Sequence, residues 1–230
     1  MMIIVRLFPK SDLNKIWHYV ENHIEEESSK YVTPLYATQA EGMMSVGVIF
    51  NVNDSDNIAH FLTETIAKCD ECHHSETISL MKPVFFPVSK KRPANIQRYI
   101  IRIYTHPKYY KSIYNYLLNY KYPFNIFPIY ISYSLGDEDI VMNIAADSPQ
   151  TVGNFVREKI RSLDGADSVM FYPVVKAKRF ASLEKIIEEQ QKHIHEQAKK
   201  LSKDEIDTEF DWVEDFEEYA MLTGAFPGDI

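Results

Sequence analysis

The densest run of reactive side chains in this 230-residue chain is Lys68-Cys69-Asp70-Glu71-Cys72-His73-His74. Cys-x-x-Cys followed by two histidines offers the thiolate and imidazole donors that hold Zn²⁺, and Cys-x-x-Cys-His is also the spacing of covalent haem attachment. Cys69, Cys72 and His73 are therefore the candidate metal ligands. Neighbouring ligands alone would strain around one ion, and no second Cys-x-x-Cys completes the set. Haem attachment requires export, and the start MMIIVRLFPKSD lacks the basic region, apolar stretch and cleavage site of a signal peptide. The expectation is a polar loop between a helix and a strand.

Other chemistry is sparse. There is no Gly-rich phosphate loop, no Gly-x-Ser-x-Gly and no His-Glu-x-x-His. His193 and His195 stand about 200° apart around a helix and do not chelate one ion. Asp137, Glu138 and Asp139 read as a turn. The tyrosines at 109, 110, 114, 116, 120, 122, 130 and 133 read as core and interface packing, since the aromatic signature of RNA-recognition sheets is missing.

The elements that must position these residues repeat. Ile4-Val5-Arg6-Leu7-Phe8 matches Ile100-Ile101-Arg102-Ile103-Tyr104, an apolar strand with one central arginine. Ile16 to Val20 matches Ile113 to Leu117, both with helical spacing. Pro34-Leu35-Tyr36 matches Pro128-Ile129-Tyr130, and Gly42 matches Gly136. Val46, Val48 and Phe50 alternate as Ile140, Met142 and Ile144 do, the mark of a strand with one buried face. Phe61 and Ile66 match Phe155 and Ile160 on a second helix, capped by Asp54 or Ser55 and by Ser148 before Pro149. Phe85 to Val88 matches Phe171 to Val174.

Each copy reads βαββαβ, so the fold class is α+β: tandem ferredoxin-like units with a C-terminal helical tail. One face of each sheet would stay apolar and exposed, unless the two sheets face each other as in a dimeric α/β-barrel. The units span residues 1–88 and 97–178, joined by a linker over 89–96 and followed by a tail over 179–230.

Residues 97–178 resemble the ligand-binding domain of the Lrp/AsnC family of prokaryotic transcription regulators. The resemblance rests on the strand order, on Gly136-Asp137-Glu138-Asp139 between the middle strands, and on Gly165-Ala166-Asp167-Ser168 before the last. Residues 2–88 follow more loosely: Gly42 is kept, but Ser45 stands where Asp139 has an aspartate. The resemblance implies a domain that pairs through its sheets and binds a small effector, such as an amino acid, near Gly136, Asp139 and Gly42. The family's helix-turn-helix has no counterpart here.

Charge argues the same way. Residues 204–230 carry ten acids and no Lys or Arg, leaving a near-neutral body of 25 basic and 23 acidic residues. Such a body supplies no phosphate-neutralising surface, so specific DNA binding is not expected. No apolar run reaches the roughly 20 residues of a membrane helix, so a cytoplasmic protein without membrane contact is expected. In the tail, Phe180, Ile187, Ile194 and Leu201 recur every seven residues, which suits a helical arm building a homo-oligomer or holding a protein partner. The favoured function is a non-enzymatic, small-molecule-binding regulatory or assembly module. The alternative is a cofactor-using enzyme of the dimeric α/β-barrel type, haem-dependent or monooxygenase-like; no cofactor is assigned.

Overall fold

The computed structural model describes residues 1–86 and 96–181. The arm beyond Ala181 and nearly all of the expected linker lie outside the described residues. Within them the chain runs β1 (Met2–Pro9), α1 (Leu13–Asn22), α2 (Ile24–Ser28), β2 (Thr33–Ala40), β3 (Val46–Asn51), α3 (Asp56–Glu64) and β4 (Cys72–Phe85). It continues as β5 (Gln97–Thr105), α4 (Tyr110–Leu118), β6 (Ile126–Leu135), β7 (Ile140–Ala146), α5 (Pro149–Phe155) and β8 (Ala166–Arg179). None of these helices is long and apolar enough to cross a membrane.

Local chemistry explains the helix starts. Asp12 accepts the Asn14 N–H ahead of α1, and Ser148 accepts the Thr151 N–H ahead of α5, where Pro149 has no N–H to satisfy. At α3, Ser55 takes the cap position without a side-chain bond, and Asp54 accepts the Asp56 N–H instead.

All eight strands form one closed antiparallel barrel in the order β1-β3-β2-β8-β5-β7-β6-β4. Since every neighbour is antiparallel, β1, β2, β5 and β6 run the same way. The hairpins β2–β3 and β6–β7 therefore sit at the same mouth. β4 and β8 join the two halves. β4 pairs with β1 through Leu80 and then with β6 over Ser79–Phe85. β8 pairs with β5 through Pro173 and then with β2 from Val174 to Arg179. Bulges fall at matching places, Pro34/Tyr36 in β2 and Pro128/Tyr130 in β6, where a proline cannot donate to the ladder.

Alternation along the strands sorts side chains into three cores. Ile3, Val5 and Leu7 face Ile16, Trp17, Val20 and Phe61 under the first helices. Tyr99, Ile101 and Ile103 face Ile113, Leu117, Val152 and Phe155 under the second set. Met2, Ile4, Leu35, Ile49, Ile78, Ile100, Tyr130 and Val141 point the other way and fill the lumen. The expected tyrosine packing is present: Tyr114 stacks on Tyr133 at 4.1 Å, and Tyr120 and Tyr122 both pack on Phe155.

Candidate functional site

Two arginines occupy the lumen side of otherwise apolar strands, Arg6 on β1 and Arg102 on β5. A guanidinium cannot be buried there without compensation. The compensation comes from one turn. Between β6 and β7, Gly136 takes φ +155° and is followed by Asp137, which is exposed, Glu138, which is buried, and Asp139, which is half-buried. Glu138, whose side chain is 0% exposed, receives both terminal contacts of Arg6 Nη2 at 2.6 Å and Arg102 Nε at 3.1 Å. Asp137 takes Arg6 Nη1 at 2.8 Å, is ion-paired with Arg102 and accepts the Tyr104 hydroxyl at 3.0 Å. The result is a near-neutral cluster drawn from both halves of the chain, buried at Arg6, Arg102 and Glu138 and open to solvent at Asp137.

Asp139 has a different task. Its carboxylate accepts the Thr105 N–H at 2.7 Å and the Tyr110 hydroxyl, closing the exit of β5 onto α4. That hydrogen bond holds the Tyr110 proton and pushes its pKa up. Gly42, at φ +78° in the other hairpin, lies against the Tyr172 ring. The candidate ligand residues Gly42, Gly136 and Asp139 thus share one mouth of the barrel, but Asp139 is occupied by the fold itself.

Beneath this mouth is a lumen cavity of about 30 Å³. Its polar lining includes Arg6, Tyr36, Ser45, Tyr130 and Asn143, and its apolar lining includes Ile4, Met43, Ile49, Ile100 and Val141. Tyr130 is fully enclosed; burial first, and the Glu138 charge second, push its pKa well up, while Asn143 hydrogen-bonds its hydroxyl. At neutral pH Tyr130 is therefore a donor and not a base. No carboxylate or imidazole lines the cavity, so the chemistry it offers is hydrogen-bond donation from a guanidinium, phenols and an amide.

The cysteine-rich segment is not a loop throughout, which corrects the sequence expectation. A turn closed by the Cys72 N–H on the Cys69 carbonyl at 2.8 Å leads directly into β4, so Cys72, His73 and His74 are already strand residues. The cause is that Pro9, Phe8 and Leu7 of β1 continue to supply partners to Cys72, His74 and Ser75. Cys69 is buried and Cys72 half-buried against the first core, and burial raises both thiol pKa values. His73 is exposed, and His74 stacks on Phe8 at 4.2 Å. Among the described residues no group of three or more His, Cys, Asp or Glu is placed to hold a metal ion.

A haem does not fit the described residues either. The lumen space is about 30 Å³, whereas sites for ligands of that class run to roughly 300–1,000 Å³. His18, His23, His60, His73, His74 and His106 all lie on the outside, away from it.

The sequence did signal the residues it failed to name as a site. A charged residue at the centre of an apolar strand, twice over, demands a buried partner. The partner was within the turn read only as a turn.

No family model and no curated protein matches the chain. Solved structures resemble it in fold. An anthrone oxidase-like protein is 8% identical, with 79% of this chain and 94% of that one covered at a TM-score of 0.46. A putative monooxygenase from Fusobacterium nucleatum is 13% identical, with 79% and 95% covered and a TM-score of 0.46. A mutant chlorite dismutase from Candidatus Nitrospira defluvii is 10% identical, with 82% and 94% covered and a TM-score of 0.46. All three are named as enzymes or enzyme-like proteins, against the expected non-enzymatic regulatory module and in line with the alternative. At such identities the likeness concerns the fold alone, and no residue role is carried over.

Proposed function

We propose that the chain is a small-molecule enzyme of the monooxygenase-like barrel type, whose reaction chamber is the lumen beside Arg6, Tyr130 and Asn143. The observation that carries the reading is the convergence of these donors on one cavity that no base or acid lines. Such a set stabilises negative charge developing on a substrate oxygen. The substrate class is then a phenol or enol whose oxygen takes these hydrogen bonds as its proton passes to solvent. Dioxygen, the co-substrate this reading requires, takes up the electrons and is reduced to water or hydrogen peroxide. Arg6 is already neutralised by Glu138 and Asp137, so the developing charge is met chiefly by the Tyr130 hydroxyl and the Asn143 amide. A cavity of about 30 Å³ holds one or two waters. Substrate entry therefore requires the flexible Met43 side chain to move from the wall.

The same reading treats residues 1–88 and 97–178 as tandem duplicates. The matching bulges and the paired arginines support it, as does the strand order common to both halves. The likeness of Gly136 to Asp139 and Gly165 to Ser168 to Lrp/AsnC domains is then shared ancestry of the unit. Self-association of the chain belongs to this proposal too.

Oxygen uptake with phenol and a panel of single-ring hydroquinones tests the function. Turnover that falls roughly 10²-fold or more in Tyr130→Phe, with an unchanged amide spectrum, is the expected result. Wild-type rates in Tyr130→Phe, or neither uptake nor binding across the panel, would overturn the reading.

A further inference from the structure

A second cavity lies where β5 and β8 part. Their ladder ends at Tyr99↔Pro173, where the Pro173 carbonyl is already turned to the Glu41 N–H at the end of β2. From there β8 turns to β2, while Gln97 and Arg98 remain paired only with β7. The divergence opens a groove of about 320 Å³ lined by Ile96, Gln97, Arg98 and the stretch from Val174 to Ala177. Unlike the enclosed lumen cavity, this groove is shallow and open to solvent.

The groove is chemically two-sided. Val175 is 51% exposed and, with Ile96, Val174 and Ala177, makes an apolar wall. Arg98 is its cation. The guanidinium lies over the Tyr36 ring, 5.5 Å from its centroid, and donates to the Tyr36 hydroxyl. Among the described residues it pairs with no carboxylate, in contrast to Arg6 and Arg102. The other lining cation, Lys176, is turned to α1, where its ammonium donates to Asn14 and sits over Trp17. Arg98 is thus pre-positioned by Tyr36 with donor capacity unspent, beside apolar surface.

We infer that this groove binds a small organic carboxylate, its carboxylate on Arg98 and its apolar body along Val175 and Ile96. A planar guanidinium fork matches a carboxylate's two oxygens, and such charge-assisted bonds are about twice as strong as neutral ones. The inference is independent of the reaction proposed for the lumen, since the two sites share only Tyr36.

Benzoate added to the full-length protein, followed by amide NMR, is the test. Saturable shifts at residues 96–98 and 174–177 are expected. Benzyl alcohol should bind at least about tenfold more weakly, and Arg98→Gln should weaken benzoate by a similar factor, a loss of about 1.4 kcal/mol. Arg98→Lys should recover part of it. Inorganic phosphate should shift the same amides less than benzoate at equal concentration. Equal binding of benzyl alcohol and benzoate overturns the inference, and that comparison needs no variant to fold. Unaltered benzoate binding by folded Arg98→Gln, shifts confined to other residues, or phosphate matching benzoate also overturn it.

Discussion

The two hairpins at the barrel mouth, residues 41–45 and 136–139, occupy matching places in the two halves and do opposite things. The second carries Asp137, Glu138 and Asp139; the first carries Met43, Met44 and Ser45 at the same distances from its glycine. Glu138 turns inward, fully buried, to neutralise arginines from both halves, while Met44 is 74% exposed and Met43 lines the cavity. One turn closes the mouth with charge and the other with a movable apolar side chain. The two halves of the barrel thereby close the mouth by different means, one ionic and one apolar.

The comparison extends to the exits of β1 and β5. In the second half Asp139 caps the exit of β5 through the Thr105 N–H. In the first half Ser45 cannot reach that role, and Glu71 fills it from the turn before β4. Glu71 Oε1 accepts the Ser11 N–H and hydroxyl at 2.7 Å and the Asp12 N–H at 2.8 Å, with Lys15 at 3.3 Å on Oε2. The turn around Cys69 and Cys72 thus has a structural use, the delivery of Glu71 to the exit of β1.

The largest effect should come from the ionic side. Glu138→Gln leaves two buried guanidinium groups short of a charge, and should cost about 3–5 kcal/mol in denaturant unfolding. Met44→Gln, at the matching exposed position, should stay within about 0.5 kcal/mol. Similar losses in both would break the comparison.

Next come the glycines. A Cβ at Gly136 would meet Ile78 Cγ1 at 2.9 Å in addition to the φ strain, whereas at Gly42 the nearest atom is 3.7 Å away. Gly42→Ala should cost about 1–2 kcal/mol, the left-handed backbone penalty alone, and Gly136→Ala distinctly more. Melting curves of the two variants decide it, and an equal shift would show that the Ile78 contact relaxes.

The smallest expected effect concerns pH. The Ser11 hydroxyl, then the Asp12 and Ser11 N–H groups, hold the Glu71 carboxyl down to about 2. A depressed folded-state pKa contributes stability above the ordinary carboxylate range that is lost as pH falls from about 4.5 towards 2. Glu71→Gln should therefore be less stable than wild type at pH 7, and the gap should narrow on acidification through that window. A gap independent of pH would remove Glu71 from the capping role.

These features were unevenly legible in the sequence. Alternation at Val46–Phe50 and Ile140–Ile144 marked the strands and their helix-facing sets. β7, however, is buried at every residue rather than on one face, because the strands close into a single barrel and the other face lines the lumen. The mouth could not be read from alternation. Glu138 and Asp139 are adjacent acids in one turn, and only the fold of that turn sends one to Arg6 and the other to Thr105. Strand ends also escaped the sequence. Cys72–His74 look like loop residues because they are polar, but pairing with β1 overrides their composition. The enzyme-like reading had no motif to announce it, since Tyr130 and Asn143 are spaced by the barrel and not by the chain.

The contact between Arg6 and Glu138 reaches across 132 residues to join the two halves. A double-mutant cycle with Arg6→Met, Glu138→Gln and the double variant, measured by urea unfolding, isolates it. A coupling of at least about 1.5 kcal/mol is expected, with the double variant less damaged than the sum of the singles. Additive losses, with a coupling below about 0.5 kcal/mol, would contradict the claim that one turn neutralises the arginines of both halves.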